Sequence, residues 1–142
     1  PLYVAAPFGA STHAEREWNT RRAEFLGQLA QMLGHDAVVV HTDILAGRWG
    51  DDANPANRAA GLEATAEICR DVCARRGIVW ALRQRDGGIS RGVRQEIDVA
   101  MREAQEAPVV LTWQEWGSVV QAIWPAGRAR WRQLNTFDLD AA

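Results

Sequence analysis

The residues best placed for chemistry lie between Asp86 and Glu96, where two glycines precede a helical pattern. Ser90 is a favourable N-cap, and the backbone amides after it lack helical partners, so this helix start attracts anions and phosphate in particular. Gly92 lets a ligand approach the backbone closely. Glu96 lies at the edge of the apolar stripe one turn later, where partial burial would shift its pKa and suit it as nucleophile or base. A solvated Glu96 and a Ser90 that only caps the helix fit the same spacing.

Polar side chains also follow the second predicted strand, at the edge of a parallel sheet where ligands bind. His41 and Asp43 end that strand, and Trp49 lies in the long loop after it. His41 fits either a hydrogen bond within the loop or contact with a substrate. Trp49 fits stacking on a base and also filling the space beneath the loop.

The sequence predicts no metal centre and no cofactor. Cys69 and Cys73 lie four residues apart in a predicted helix and fit two buried thiols, and a pair alone does not supply the four ligands that zinc usually takes. Asp43, Asp51 and Asp52 lack the spacing of a calcium loop. The chain contains no lysine, so lysine Schiff-base chemistry is excluded.

Strand and helix patterns alternate along the chain. Short apolar runs predict strands at 2–6, 37–40, 78–82 and 108–112, and apolar spacings of three and four predict helices at 14–33, 62–76, 90–105 and 113–124. The stripe of the third helix is expected to bury Val93, Ile97, Ala100, Met101 and Ala104. This alternation predicts one α/β domain over 1–142, a three-layer, flavodoxin-like or Rossmann-like parallel sheet of four to five strands flanked by helices, with 126–142 unassigned.

Composition narrows the class of partner. The chain has 142 residues and a net charge of −2, which gives no reason to expect a nucleic acid polymer or a membrane surface as partner. No apolar run approaches the ~20 residues that cross a bilayer. The absence of a leader pattern and the two unpaired cysteines predict a cytoplasmic protein.

The segment from Ile78 to Ala100, with Ser90-x-Gly92-x-x-x-Glu96-Ile97, resembles the signature of the nucleoside 2-deoxyribosyltransferase superfamily. It is most similar to the nucleoside 5′-monophosphate N-glycosidase branch. The opening Tyr3-Val4-Ala5-Ala6-Pro7-Phe8-Gly9 resembles the first strand and glycine-bearing turn of the family, and His41 with Trp49-Gly50 resembles the loop after its second strand.

The resemblance implies a homodimer or higher homo-oligomer that cleaves the N-glycosidic bond of a nucleoside or nucleotide. Glu96 would face the anomeric carbon, as nucleophile or as stabiliser of an oxocarbenium-like transition state. Base exchange, a non-catalytic nucleotide-binding protein, and a partner-binding domain suggested by the tryptophan-rich C-terminal third remain alternatives. The residues implied to bind substrate are Tyr3, Pro7, Phe8, Gly9, His41, Trp49, Asp86, Ser90 and Gly92.

The sequence departs from the family at its two aspartates, whose positions fall near Cys69 and at Gly77. Glu67 and Asp71 flank the first position, and a small shift of register would bring either into the site. The proton for the leaving base is therefore expected from Asp71, or from Asp43, His41 or Asp86. The same departure is compatible with an altered or absent reaction.

Overall fold

The computed structural model describes residues 1–9 and 12–135. The strands are β1 (Leu2–Ala5), β2 (Ala37–Val38), β3 (Ile78–Leu82) and β4 (Val109–Leu111). The helices are α1 (His13–Met32), α2 (His41–Leu45), α3 (Pro55–Ala74), α4 (Arg91–Glu103), α5 (Trp113–Ile123) and α6 (Arg128–Gln133), with a 3₁₀ turn at Pro125–Gly127. The C-terminal segment that the sequence left unassigned thus contributes this turn and α6, and 136–142 lie outside the described residues.

The four strands form one parallel sheet in the order β2-β1-β3-β4. This is the strand order at the start of flavodoxin-like sheets, and it requires right-handed crossovers through the helices. The predicted three-layer α/β class is confirmed. No described helix is both long and apolar enough to cross a membrane.

Alternation along the strands divides the interior into two cores. One core lies between the sheet and helices α1 and α5. It contains Leu2, Val4, Trp80 and Leu82 of the strands, with Phe25 of α1 and Trp116 of α5. The odd-numbered residues of β1 and β3 face the opposite layer, which is made by α3 and α4. That second layer places Tyr3 of the central strand β1 on the same side as Glu96 of α4.

The apolar stripe of α4 is rotated relative to the sequence prediction. Val93, Ile97 and Ala100 are buried as expected, but Met101 is 65% exposed. The buried arc extends instead towards Glu96 and Val99, whose exposures are 7% and 1%. The same rotation that releases Met101 to solvent therefore carries Glu96 into the core.

The stretch between β2 and α3 contains more helix than the sequence predicted. Strand β2 pairs with β1 at only two positions, and the chain turns into α2 directly after Val40. Helix α3 begins at Pro55, because the Asn54 side chain accepts hydrogen bonds from the first amides and Pro55 fits the first helical position. The long loop predicted after the second strand is thus partly helical, and α3 is a turn or more longer than expected.

Candidate active site

A cavity of about 170 Å³ lies beyond the carboxyl ends of β1 and β3, on the side covered by α3 and α4. It is the position at which open parallel sheets place ligands. Its wall includes Phe8, Gly9, His41, Arg58, Thr65, Ser90, Gly92 and Glu96. The structure therefore brings five of the predicted substrate residues together with the predicted catalytic carboxyl group.

The start of α4 forms one side of the cavity. Ser90 is the N-cap, and its Oγ accepts a hydrogen bond of 3.3 Å from the Val93 amide. The amides of Arg91 and Gly92 precede the first helical hydrogen bond, so they are available to an anion together with the Ser90 hydroxyl proton.

Gly92 has a second role that spacing alone does not reveal. A Cβ at this position would lie 2.9 Å from Cδ2 of Leu62, so the glycine allows α3 to pack closely on α4. Leu62 itself lines the cavity. The sequence predicted that a ligand approaches the backbone at Gly92, but in the structure the Leu62 side chain makes that close approach.

Glu96 is the most perturbed acid of the site. Burial raises its pKa from the usual 4.5 to about 8, and the neighbouring Tyr3 hydroxyl offsets part of that rise. Among the described residues, Oε2 of Glu96 has no hydrogen-bond partner and no basic group lies within 4 Å of the carboxyl. A carboxyl group in this state is mostly protonated at neutral pH, and a positive charge beside it would lower its pKa.

Tyr3 is fully buried on β1, with its hydroxyl beside Glu96 and Thr65. Burial, followed by the Glu96 charge, raises the pKa of Tyr3 well above 10, so the phenol keeps its proton. The hydroxyl makes no hydrogen bond of standard geometry within the described part of the chain. Tyr3 is thus a neutral donor held next to the carboxyl group.

His41 is 2% exposed and closes the cavity near the end of β1. Its Nε2 lies 2.8 Å from the Ala6 carbonyl oxygen, and because a carbonyl only accepts, Nε2 carries the proton. Burial lowers the pKa of His41 to about 4. The ring packs edge-on against Phe8, with 6.1 Å between the ring centres. His41 is therefore a neutral wall residue that cannot protonate a leaving base near neutral pH.

Arg58 is a cavity residue that the sequence prediction missed. It extends from the start of α3 across the turn after β1, where a Cβ at Gly9 would lie 2.7 Å from its Nη2. Arg91 lines the same cavity. Neither guanidinium forms a salt bridge within the described residues. Arg58 precedes the helix predicted at 62–76, and its position in the cavity wall depends on the start of α3 at Pro55, which the sequence analysis did not predict.

Both predicted auxiliary acids lie elsewhere, so their catalytic assignments need correction. Asp71 is exposed on α3 and pairs with Arg75 at 3.2 Å. Asp43 pairs with Arg48 at 3.3 Å on α2 and does not line the cavity. Since α3 is a regular helix, Thr65 and Cys69 lie on its buried face, on the side of the cavity, and Asp71 lies on its exposed face. The acid in the wall is instead Asp52.

Four predicted substrate residues do not line this cavity: Tyr3, which lies beside Glu96 behind the wall, and Trp49, Pro7 and Asp86. Trp49 is half-buried beneath Arg48, whose Cζ lies 5.2 Å from the ring centre. Pro7 and Asp86 line a cavity on the opposite side of the sheet, and Asp86 Oδ1 accepts from the Gly88 amide at 2.8 Å. Asp86 therefore shapes the loop before α4.

The structure explains why no acid stands at Gly77 or Cys69. A Cβ at Gly77 would lie 2.5 Å from the Val72 carbonyl oxygen and 2.9 Å from that of Pro1, so no side chain fits there. Cys69 is fully buried, and its Sγ lies 3.8 Å from the backbone carbonyl of Glu96. Burial and the Glu96 charge raise the pKa of its thiol, so Cys69 is a neutral packing residue behind the carboxyl group.

No protein-family profile, curated protein or solved structure matches this chain. The chemistry of the site follows from its own geometry. One side offers unpaired amides, a hydroxyl and two guanidinium groups, which together suit a phosphate or another anion. The other side offers a neutral buried carboxyl group beside a phenol.

Proposed function

We propose that the protein hydrolyses the N-glycosidic bond of a nucleoside 5′-monophosphate, or of a nucleoside, and releases the free base. The observation that carries the proposal is the Glu96 carboxyl group, 7% exposed and raised in pKa, in the same cavity wall as the start of α4. Gly92 lies one helical turn before Glu96, about 6 Å along the axis. A 5′ phosphate at the helix start would therefore leave the sugar beside the carboxyl group.

In the proposed reaction the C1′–N bond breaks and its electron pair leaves with the base. The positive charge that develops on C1′ and the ring oxygen is stabilised by the Glu96 carboxylate, which has lost its proton to solvent before the bond breaks. Water then adds its hydroxyl group to C1′, and its proton balances the base anion, so the products are a free base and a sugar phosphate. Tyr3 lies beside the carboxyl group on the β1 side.

The leaving base needs a proton or a hydrogen bond that accepts its charge. His41 is excluded as the proton donor near neutral pH by its low pKa, and Asp43 and Asp71 by their positions. Asp52 lines the cavity, and we assign to it the task of holding the water whose proton the departing base takes up. Substitution of Asp52 by Asn should slow release of poor leaving groups more than release of good ones.

A chromatographic assay for base release tests the proposal. Purified protein is incubated with a panel of ribonucleosides, deoxyribonucleosides and their 5′-monophosphates, with and without a second free base. We expect one free base to appear for the correct substrate, and a new nucleoside to appear if the sugar is transferred instead. Glu96→Gln should abolish release while leaving nucleotide binding intact, and Glu106→Gln, an exposed acid outside the cavity, should behave like wild type. No release from any member of the panel would reject an enzymatic role.

A non-catalytic nucleotide-binding protein is the second candidate. The specific observation in its favour is that neither Asp43 nor Asp71 reaches the cavity. This candidate predicts that a nucleotide raises the thermal stability without turnover. At a ligand concentration of 100 Kd, the stabilisation would be about 2.7 kcal/mol. The same panel therefore separates the two candidates, because only the enzyme releases base.

A further inference from the structure

A second concentration of positive charge lies on the other side of the sheet, around Arg22 of α1. Arg22 is 4% exposed, and its guanidinium lies 3.6 Å from the ring centre of Trp18 and 4.5 Å from that of Trp113. Its Nε donates to the Leu134 carbonyl at 2.7 Å and its Nη2 to the Asn135 carbonyl at 3.1 Å. These contacts fix the group and leave its other N–H donors available.

No carboxylate within the described residues forms a salt bridge with Arg22. Arg85, a charge of the same sign, acts on Arg22 and lies over the same Trp18 ring, with its Cζ 5.1 Å from the ring centre. Burial and then Arg85 lower the pKa of Arg22 to about 9. A buried cation beside a second cation is costly, and an anion between them would remove most of that cost.

The two arginines share a small cavity with Arg83. Its volume is about 130 Å³, and its wall also holds Gln84, Thr112 and Gln114. Arg83 donates to the Gly87 carbonyl at 3.1 Å, and Glu115 offsets part of its charge. The amides of Trp113 and Gln114 precede the first hydrogen bond of α5 and add donors at the same edge.

We propose that Arg22, Arg83 and Arg85 form a phosphate-binding site separate from the Glu96 cavity. Forked guanidinium donors and free helix amides match the oxygens of a tetrahedral anion, and a space of this size holds one phosphate group. The phosphate is either free in solution or the distal group of a nucleotide bound at Glu96. The second source is possible because Gln84 lines both cavities.

Titration of the full chain with inorganic phosphate at constant ionic strength tests the site, with calorimetry and thermal unfolding as readouts. Wild type should bind phosphate saturably and gain thermal stability. Arg85→Gln and Arg83→Gln should each weaken binding about tenfold or more. Arg102→Gln, which removes an exposed charge from α4, is the matched control and should bind as wild type does. Arg85 and Arg83 are chosen first because Arg22 also supports the packing of α1.

The site is independent of the proposed hydrolysis, and two variants keep the tests apart. Glu96→Gln and Arg58→Gln should retain phosphate binding even if no base is ever released. If a nucleotide supplies the phosphate, Arg85→Gln should weaken binding of a nucleoside diphosphate and spare that of the monophosphate. If the phosphate is free, both nucleotides should bind Arg85→Gln and wild type equally. Absence of saturable phosphate binding to wild type, or wild-type affinity for phosphate in both Arg85→Gln and Arg83→Gln, would overturn the site.

Discussion

At the scale of single residues, the buried carboxyl group of Glu96 has the strongest physical consequences. Its environment favours the neutral form, because burial removes water from the carboxylate and no cation within the described residues replaces it. Such a group stabilises the fold when protonated and opposes folding when ionised. The proposed reaction therefore requires the ionised form of Glu96, whereas folding favours the protonated form.

Glu96→Gln should make the protein more stable than wild type at pH 8. The folded pKa of about 8 lies above the unfolded value near 4.5, so Glu96 favours folding fully only below the unfolded value, and that contribution falls as pH rises towards 8. The contribution of Glu96 to the free energy of unfolding that is lost in this way amounts to at most about 4–5 kcal/mol. Urea unfolding of both proteins at pH 5 and pH 8 measures it. The low pKa of His41 affects both proteins equally and cancels. The same difference in free energy of unfolding between the two proteins at pH 5 and at pH 8 would contradict the burial of an ionisable group at 96.

The rate of base release should rise with pH up to about 8. Glu96 has to be ionised in the transition state, and kcat/KM reports the pKa of the free enzyme. We expect log kcat/KM to increase with a slope near one below pH 8 and to level off above it. A profile that is flat below pH 8 and falls above it would mean that Glu96 acts as the proton donor instead.

Arg58→Gln should weaken binding of a nucleoside monophosphate about tenfold or more and leave that of the nucleoside unchanged. The guanidinium lies over Gly9 and next to the start of α4, where the phosphate is placed. Loss of a charged hydrogen bond costs about 1.5–3 kcal/mol. Isothermal titration with both ligands, with Arg102→Gln as control, checks it. An equal loss for both ligands would place Arg58 at the sugar or base.

At the scale of elements, the position of the carboxyl group depends on how α4 sits on the sheet. The sequence predicted the helix, its Ser90 cap and most of its apolar stripe, because these follow from residue types and spacing. It did not predict the rotation that exposes Met101 and buries Glu96, since that angle depends on packing against α3 and β1. Likewise, Asp71 was assigned to the site because it lies two residues from Cys69 in the sequence. In the folded helix its side chain is on the exposed face and pairs with Arg75.

The turn between α3 and β3 imposes a separate constraint. Gly77→Ala should lower the free energy of unfolding by about 2 kcal/mol or more, because the new Cβ would meet the carbonyl oxygens of Val72 and Pro1. Gly61→Ala, within α3, meets only ordinary contact with Trp49 at 3.8 Å and is the control, with little change or a small gain expected. Chemical denaturation measures both. A harmless Gly77→Ala would show that the turn can open and could accept an acid there.

At the scale of the whole molecule, the alternation of strands and helices was enough to predict the three-layer class. Alternating strands and helices also predict that the sheet is parallel, but only the structure gives the strand order β2-β1-β3-β4. The arginine cluster was not predictable, because Arg22, Arg83 and Arg85 come from α1 and from the loop after β3 and meet only in the folded chain. The C-terminal carbonyls that fix Arg22 are likewise 112 and 113 residues away.

Assembly is a prediction that belongs to this scale. The family resemblance implies a homodimer or a higher homo-oligomer, and sedimentation equilibrium should show at least two chains per particle. The midpoint of thermal unfolding should then rise with protein concentration, because association stabilises the folded state. A single-chain particle at all accessible concentrations would contradict it.

Gln84 belongs to the wall of the Glu96 cavity and to that of the arginine cavity, and its backbone is tied to Gly87 and Gly88 by hydrogen bonds of 2.9 and 2.8 Å. One short hairpin-like loop thus separates the two proposed ligand sites. If occupancy on one face shifts this loop, each ligand becomes an effector of the other. Closure of the thermodynamic cycle then requires the same ratio of affinities in both directions, whichever ligand is added first.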